Sequence, residues 1–168
     1  MGVDIAKDFL VLGRLLLRIF MGWKNLVRVA AVDCSNPFNT PLCRDYEVMT
    51  YPNLRYFPSG SSQEFLGIVV LDREVASLRQ FIIRHLRNES EKRTDIPDVF
   101  HEYHGTLDEI WNENIAFAII VAENSSSFTG SELALDLNQV EKIKVISVPP
   151  DNENIRSILN EEGVFLLT

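Results

Sequence analysis

The chain has 168 residues, 46% of them hydrophobic, and a formal net charge of −8. That length holds one ordinary domain or two small ones, and that apolar content belongs to a globular protein rather than a disordered one. An acidic chain lacks the basic face that displaces counterions from phosphates, which excludes nucleic acid as a partner.

The opening MGVDIAKDFLVLGRLLLRIFMGW is apolar but broken by Lys7, Asp8, Arg14 and Arg18. Its uncharged run FLVLG is too short for a membrane span or a signal-peptide core, so no recognisable signal peptide is read here and membrane insertion is not expected. At helical period Phe9, Leu12, Leu16, Ile19 and Trp23 share one stripe, which predicts an amphipathic helix with a buried or partner-facing side. Val27 to Asp33 (VRVAAVD) is β-branched and predicts a parallel strand covered on both faces. Thr40 is placed to cap a helix that begins at Pro41, where a missing N–H costs nothing. Asn53–Phe57 and Glu64–Leu71 predict two strands joined by the turn-rich PSGSSQ. Val75, Leu78, Ile82 and Leu86 then mark an amphipathic helix.

The polar stretch Asn88 to Pro97 reads as a linker. Beyond it the pattern predicts a short helix over Leu107–Asn114, a buried strand over Ile115–Ala122 and a helix near Ser131–Glu141. A strand over Lys142–Val148 and a helix capped by Asp151 follow, and VFLLT begins one more strand. Charge shifts along the way. Residues 1–84 carry 10 Lys and Arg against 8 Asp and Glu, a net +2, while residues 85–168 carry 6 against 16, a net −10. Both halves contain a strand, a turn, a capped helix and another strand, which predicts an α/β protein built from two copies of one unit. Val27–Asp33 and Lys142–Val148 are the expected corresponding central strands.

Cys34 and Cys43 are the two cysteines of the chain, and no CxxC occurs. Neither a dithiol redox centre nor a paired-cysteine zinc site can be assembled from them. His101-Glu102-Tyr103-His104 has metal-binding residue types, but Gly105 and the linker context predict turn or strand, on which the rings diverge, so no metal site is expected. Helix capping and a solvated face account for Asp151, Glu153, Glu161 and Glu162, which lack an EF-hand spacing. Asn88-Glu89-Ser90 and Asn124-Ser125-Ser126 fit the N-glycosylation pattern.

Three marks occur in order: a predicted strand ending in Asp33-Cys34, then Cys43-Arg44-Asp45-Tyr46, then Tyr51-Pro52 leading to Arg55 and Phe57. Within WKNLVRVAAVDCSNPFNTPLCRDYEVMTYPNLRYFP they resemble the later part of the first thioredoxin domain of the quiescin sulfhydryl oxidases. SSSFTGSELALDLNQVEKIKVISV is similar to the second thioredoxin domain of that family, where a small-residue stretch replaces the CxxC of an ordinary thioredoxin. The resemblance covers about Trp23 to Val164 and implies an α/β, thioredoxin-like fold in two incomplete tandem copies. The first copy lacks its opening strands, and the second lacks its closing hairpin and last helix. The implied divisions are an atypical amphipathic helix over residues 1–22, a partial first domain over 23–90, a linker over 91–100 and a partial, redox-inactive second domain over 101–168.

The resemblance implies a secretory-pathway enzyme (Golgi, endoplasmic reticulum or extracellular) that installs disulfides in protein substrates. In the complete family protein a CxxC takes electrons from client thiols and passes them to a cysteine pair beside FAD. Oxygen then receives them and becomes hydrogen peroxide. Here MGVDIAKDFLVLGRLLLRIFMG stands in place of the CxxC segment and no FAD-binding helical domain is read, so no catalytic residue and no cofactor of its own are expected. The resemblance implies a structural disulfide between Cys34 and Cys43, whereas a reducing compartment would leave two buried thiols. It also makes Thr50-Tyr51-Pro52 the cis-proline loop, which in the family faces the CxxC. Two functions compete: a non-catalytic segment of the oxidase type, and a module that binds peptides or proteins through exposed sheet edges.

Overall fold

The computed structural model describes residues 16–90, 92, 94, 96, 100–124 and 126–168. The N-terminal helix expected over residues 1–22 lies outside the described residues as far as residue 15. The chain divides into two compact units, one of Val27–Arg79 with the residues up to Met21, the other of Gly22–Leu26 with Gln80–Thr168.

The first unit contains the short helix α1 (Thr40–Asp45), the strands β1 (Arg55–Tyr56) and β2 (Ile68–Val69), and the start of α2 (Val75–Ser90). β1 and β2 pair antiparallel, with Arg55 opposite Val69 and Tyr56 opposite Ile68. The ribbon is braced by rings set edge to face, Tyr46 to Phe57 at 5.7 Å and Phe57 to Phe65 at 6.2 Å. Gly67 sits at φ +82°, and a Cβ there would lie 2.7 Å from the Phe57 ring, so glycine is required both for the backbone angle and for the space.

The second unit is a βαβαβ arrangement: β3 (Phe117–Ala122), α3 (Thr129–Leu137), β4 (Ile143–Val148), α4 (Glu153–Leu159) and β5 (Gly163–Leu167). β3 lies between the other two strands, parallel to β4 and antiparallel to β5. Alternate residues of β3 point to one core, where Ala118 and Ile120 meet Ile110, Ile146, Val148 and Ile155, with Phe165 and Leu167 packed against them. α3 packs on β4 and β3 and buries Ala134 and Leu135. This is a thioredoxin-like α/β fold.

Several local expectations are corrected. Val27–Asp33 forms no strand, and Arg28 and Ala30–Asp33 are exposed. Strand propensity is realised only through ladder neighbours, and among the described residues none pairs with this segment. Lys142–Val148 is not central either; β4 flanks β3, which has partners on both sides. The helix expected over Leu107–Asn114 shrinks to a single 3-10 turn, Asp108–Ile110, anchored by the fully buried Ile110.

The caps also differ. Asn39, not Thr40, precedes α1; the Thr40 hydroxyl donates back to the Asn36 carbonyl at 3.4 Å. Asn152, not Asp151, caps α4, its Oδ1 accepting the Ile155 N–H at 3.3 Å. Asn152 is buried, and its Nδ2 donates to the carbonyls of Tyr103 and Gly105, bonds that an aspartate could not make.

The boundary between the two compact units falls inside α2, between Arg79 and Gln80. The later half of this helix is tied to α3: Arg87 Nη2 donates to Ser131 Oγ at 3.3 Å, and Arg84 and Arg87 lie 5.4 and 5.5 Å from the Phe128 ring centre.

Candidate functional site

In the first unit, Cys34 and Cys43 are bonded to each other, with Cα atoms 5.9 Å apart. They close a turn built from side chains that hydrogen-bond the nearby backbone. Asp33 Oδ1 accepts from the Ser35 N–H at 2.9 Å and from its hydroxyl at 2.6 Å, and Asn39 Nδ2 donates to the Asp33 carbonyl at 2.8 Å. The Ser35 hydroxyl, followed by its N–H, holds the Asp33 carboxyl below the usual carboxylate range. Cys43 is buried on α1, and no cysteine of the chain remains free. The Tyr51–Pro52 peptide is cis. Thr50 and Tyr51 are exposed, while the Pro52 carbonyl accepts from Arg73 Nη2 at 3.2 Å.

In the second unit, a cleft of about 410 Å3 opens where β3 and β4 end and α3 begins. Parallel strands leave such crevices at their carboxyl ends, and ligand sites of α/β proteins gather there. Glu123, just beyond β3, holds the crevice together. Its carboxylate accepts from the Gly130 N–H at 3.0 and 3.2 Å and from the Ser147 hydroxyl at 2.6 Å. The anion therefore lies at the positive end of α3, which favours negative charge. A Cβ on Gly130 would stand 2.5 Å from Glu123 Oε1 and 2.9 Å from Ser147 Cβ, so this close approach admits only glycine. Arg156 secures the neighbouring backbone, its Nη2 donating to the carbonyls of Glu123 at 2.6 Å and Val148 at 2.9 Å.

The small-residue stretch thus becomes a helix entrance of hydroxyls. Ser131 is buried and accepts from Arg87, and the proton of Ser147 is committed to Glu123. No thiol lies here to exchange electrons.

His101, Glu102 and His104 do line the cleft, but among the described residues no group of three or more His, Cys, Asp or Glu converges to hold a metal ion. Tyr103 points away from a ligating role; its hydroxyl donates to the Thr106 carbonyl at 2.9 Å. Burial, and secondarily the Glu109 charge, raise its pKa.

Asn88 is exposed on the last turn of α2, and Asn124 is exposed beyond β3, where its Oδ1 accepts from the N–H and hydroxyl of Ser126. Among the described residues no helix is long and apolar enough to cross a membrane. Glu123, Ser147, Asn152 and Arg156 carry no spacing that marks them as a group in sequence; only the sheet register brings them together.

No family model matches the chain. Sulfhydryl oxidase 2 of Homo sapiens is 34% identical over 132 residues, a match covering 73% of this chain and 18% of that protein. Sulfhydryl oxidase 2 of Mus musculus is 31% identical over 138 residues, with the same two coverages. Sulfhydryl oxidase 1 of Gallus gallus is 27% identical over 147 residues, covering 79% of this chain and 18% of that protein. The chain therefore spans about a fifth of the length of the curated relatives it matches. Among solved structures, full-length ERdj5 superposes with a TM-score of 0.54 over 95% of this chain and 23% of its own, at 15% identity, a likeness of fold alone.

Proposed function

We propose that this chain, related in sequence to the thioredoxin-like region of the quiescin sulfhydryl oxidases, is a scaffold segment of that kind of protein and carries no thiol-oxidising centre of its own. The observation that carries the reading is the Cys34–Cys43 bond. It takes up both cysteines of the chain in a turn between a loop and α1. Thiol oxidation needs an accessible low-pKa thiolate and a second cysteine to resolve the mixed disulfide. A cysteine pair nine residues apart, one member of it buried on a helix, is built to staple. The cleft of the second unit supports the same reading, since hydroxyls and a capped carboxylate stand where the fold would present reactive sulfur.

The reading includes a secretory setting. A disulfide of this kind persists in oxidising compartments, and the exposed Asn88 and Asn124 sequons are accessible to glycosylation there. Purified protein should consume no oxygen and release no hydrogen peroxide with dithiothreitol or a reduced client protein. Oxygen uptake above a heat-inactivated control would overturn the proposal. On material from secreting cells, removal of N-glycans should lower the apparent mass, and unchanged mobility would remove the glycoprotein part.

A further inference from the structure

The cleft at the ends of β3 and β4 is lined by a residue that can itself carry a ligand. Asn124, the acceptor of the Asn124-Ser125-Ser126 sequon, is one of its lining residues, and Asn88 of the other sequon is not. Asn124 is exposed, and its Oδ1 accepts from the N–H and the hydroxyl of Ser126. The amide is thus held by its oxygen, while its Nδ2 has no partner among the described residues. The whole lining belongs to the second unit and runs from Arg87 to Ser147 in sequence. β5 lies on the far side of β3 from β4, so the outer side of β5 takes no part in the cleft.

The lining disfavours a charged occupant. Its permanent charges are one cation, Arg87, against two carboxylates, Glu102 and Glu123, a net −1 that opposes phosphate or carboxylate ligands. Arg87 and Glu123 are also engaged within the protein, Arg87 with Ser131, and Glu123 with Gly130 and Ser147. Imidazoles, the Ser127 hydroxyl and the Phe100 ring make up much of the rest. Such a set offers donors and acceptors to sugar hydroxyls and to an N-acetyl group, and an aromatic surface to the apolar face of a sugar ring. At about 410 Å3 the cleft has the size of a small-ligand site, with room for the innermost sugars of a glycan.

We propose that the cleft seats the first N-acetylglucosamine of a glycan carried on Asn124, so that the chain fills its own cleft with its own modification. The proposal deepens the glycoprotein reading and rests on it. In the attachment, Asn124 Nδ2 gains a bond to C1 of the sugar and loses one proton. The bond between C1 and the lipid diphosphate of the oligosaccharide donor breaks, and nothing is oxidised or reduced. Attachment at the rim places the sugar beside its site at high effective concentration, so weak individual contacts are enough to hold it there. The seated sugar closes the end of the sheet where parallel strands otherwise leave an open crevice.

The test uses the whole chain made in secreting cells supplied with carbon-labelled N-acetylglucosamine. Glycopeptide mass spectrometry should find Asn124 occupied, and NMR should show Overhauser contacts from the acetyl methyl of its first sugar to the Phe100 ring. Ser127→Arg, which fills the cleft and leaves the sequon intact, should abolish those contacts with the glycan still attached and the circular dichroism unchanged. An unmodified Asn124 would remove the glycoprotein reading at this site and the proposal with it. An occupied Asn124 whose first sugar makes no contact with Phe100 would overturn the proposal alone and leave the glycoprotein reading standing. Contacts that survive Ser127→Arg would place the sugar outside the cleft and also overturn it.

Discussion

The indole N–H of Trp23 donates to the carboxylate of Asp136 on α3 at 2.7 Å, across 113 positions of sequence. Trp23 is 1% exposed, and the Gly22 carbonyl beside it accepts from Gln139 Nε2 at 2.9 Å. A Cβ on Gly22 would meet the Asp136 backbone at 2.9 Å, so the segment lies directly on the helix. Gly22–Leu26 thereby belongs with the second unit, although Val27–Arg79 of the first unit separates it in sequence from Gln80–Thr168. Trp23→Ala should destabilise the protein by about 3–5 kcal/mol, as removal of a large buried ring does. Trp23→Phe keeps most of the packing and loses the donor, at about 1 kcal/mol. Urea unfolding followed by circular dichroism measures both, and a Trp23→Ala loss below that of Trp23→Phe would contradict the anchoring role.

Gly130→Ala tests the Glu123 cap. The added methyl meets Ser147 Cβ, which cannot swing away, and the Glu123 carboxylate, which three hydrogen bonds hold in place. Overpacking of this kind costs roughly 1–3 kcal/mol. Glu123→Ala should be destabilising alone, yet in combination with Gly130→Ala the losses should be less than additive, because the carboxylate that clashes is gone. Strict additivity in a double-mutant cycle would show that the two groups do not meet.

Reduction of the Cys34–Cys43 bond should cost about 2–3 kcal/mol on the chain-entropy model for so short a loop. Cys34→Ser, Cys43→Ser should show the same loss without reductant. Non-reducing peptide mapping of secreted material should find the two cysteines in one linked pair. Alkylation of both thiols before reduction would contradict the pairing.

Asp33 and Tyr103 contribute at opposite ends of the pH response. The lowered pKa of Asp33 means that its ionised form is favoured in the fold, so its contribution is present above about pH 4 and is lost as acid protonates it at its lowered value. Ser35→Ala should return the Asp33 carboxyl titration toward the ordinary carboxylate value, read by carbon NMR. The raised pKa of Tyr103 means that its neutral phenol is favoured, so its contribution is intact below about pH 10 and is lost as pH rises through the raised value. Ultraviolet titration should show one tyrosine ionising late, and Tyr103→Phe should abolish that late step. A late step that survives the substitution assigns it elsewhere.

Local pattern alone was enough for part of this protein. The period of Val75, Leu78, Ile82 and Leu86 specifies α2, and the apolar run FAIIVA specifies β3. These features depend on composition and spacing over a few neighbouring residues, which a single strand of text carries. Everything that depends on who pairs with whom was decided in three dimensions. VRVAAVD has the composition of a strand and stays outside any sheet, because propensity without a ladder partner does not hold an extended backbone. Asn152 displaces Asp151 as the α4 cap because the buried position calls for a donor as well as an acceptor. Glu123, Gly130 and Ser147 become one cluster only when the parallel register of β3 and β4 sets Ala122 beside Val148 and brings α3 down on their ends. Hydrogen bonds and excluded volume act over a few ångströms, so residues dozens of positions apart acquire their roles only once the sheet has brought them within that range.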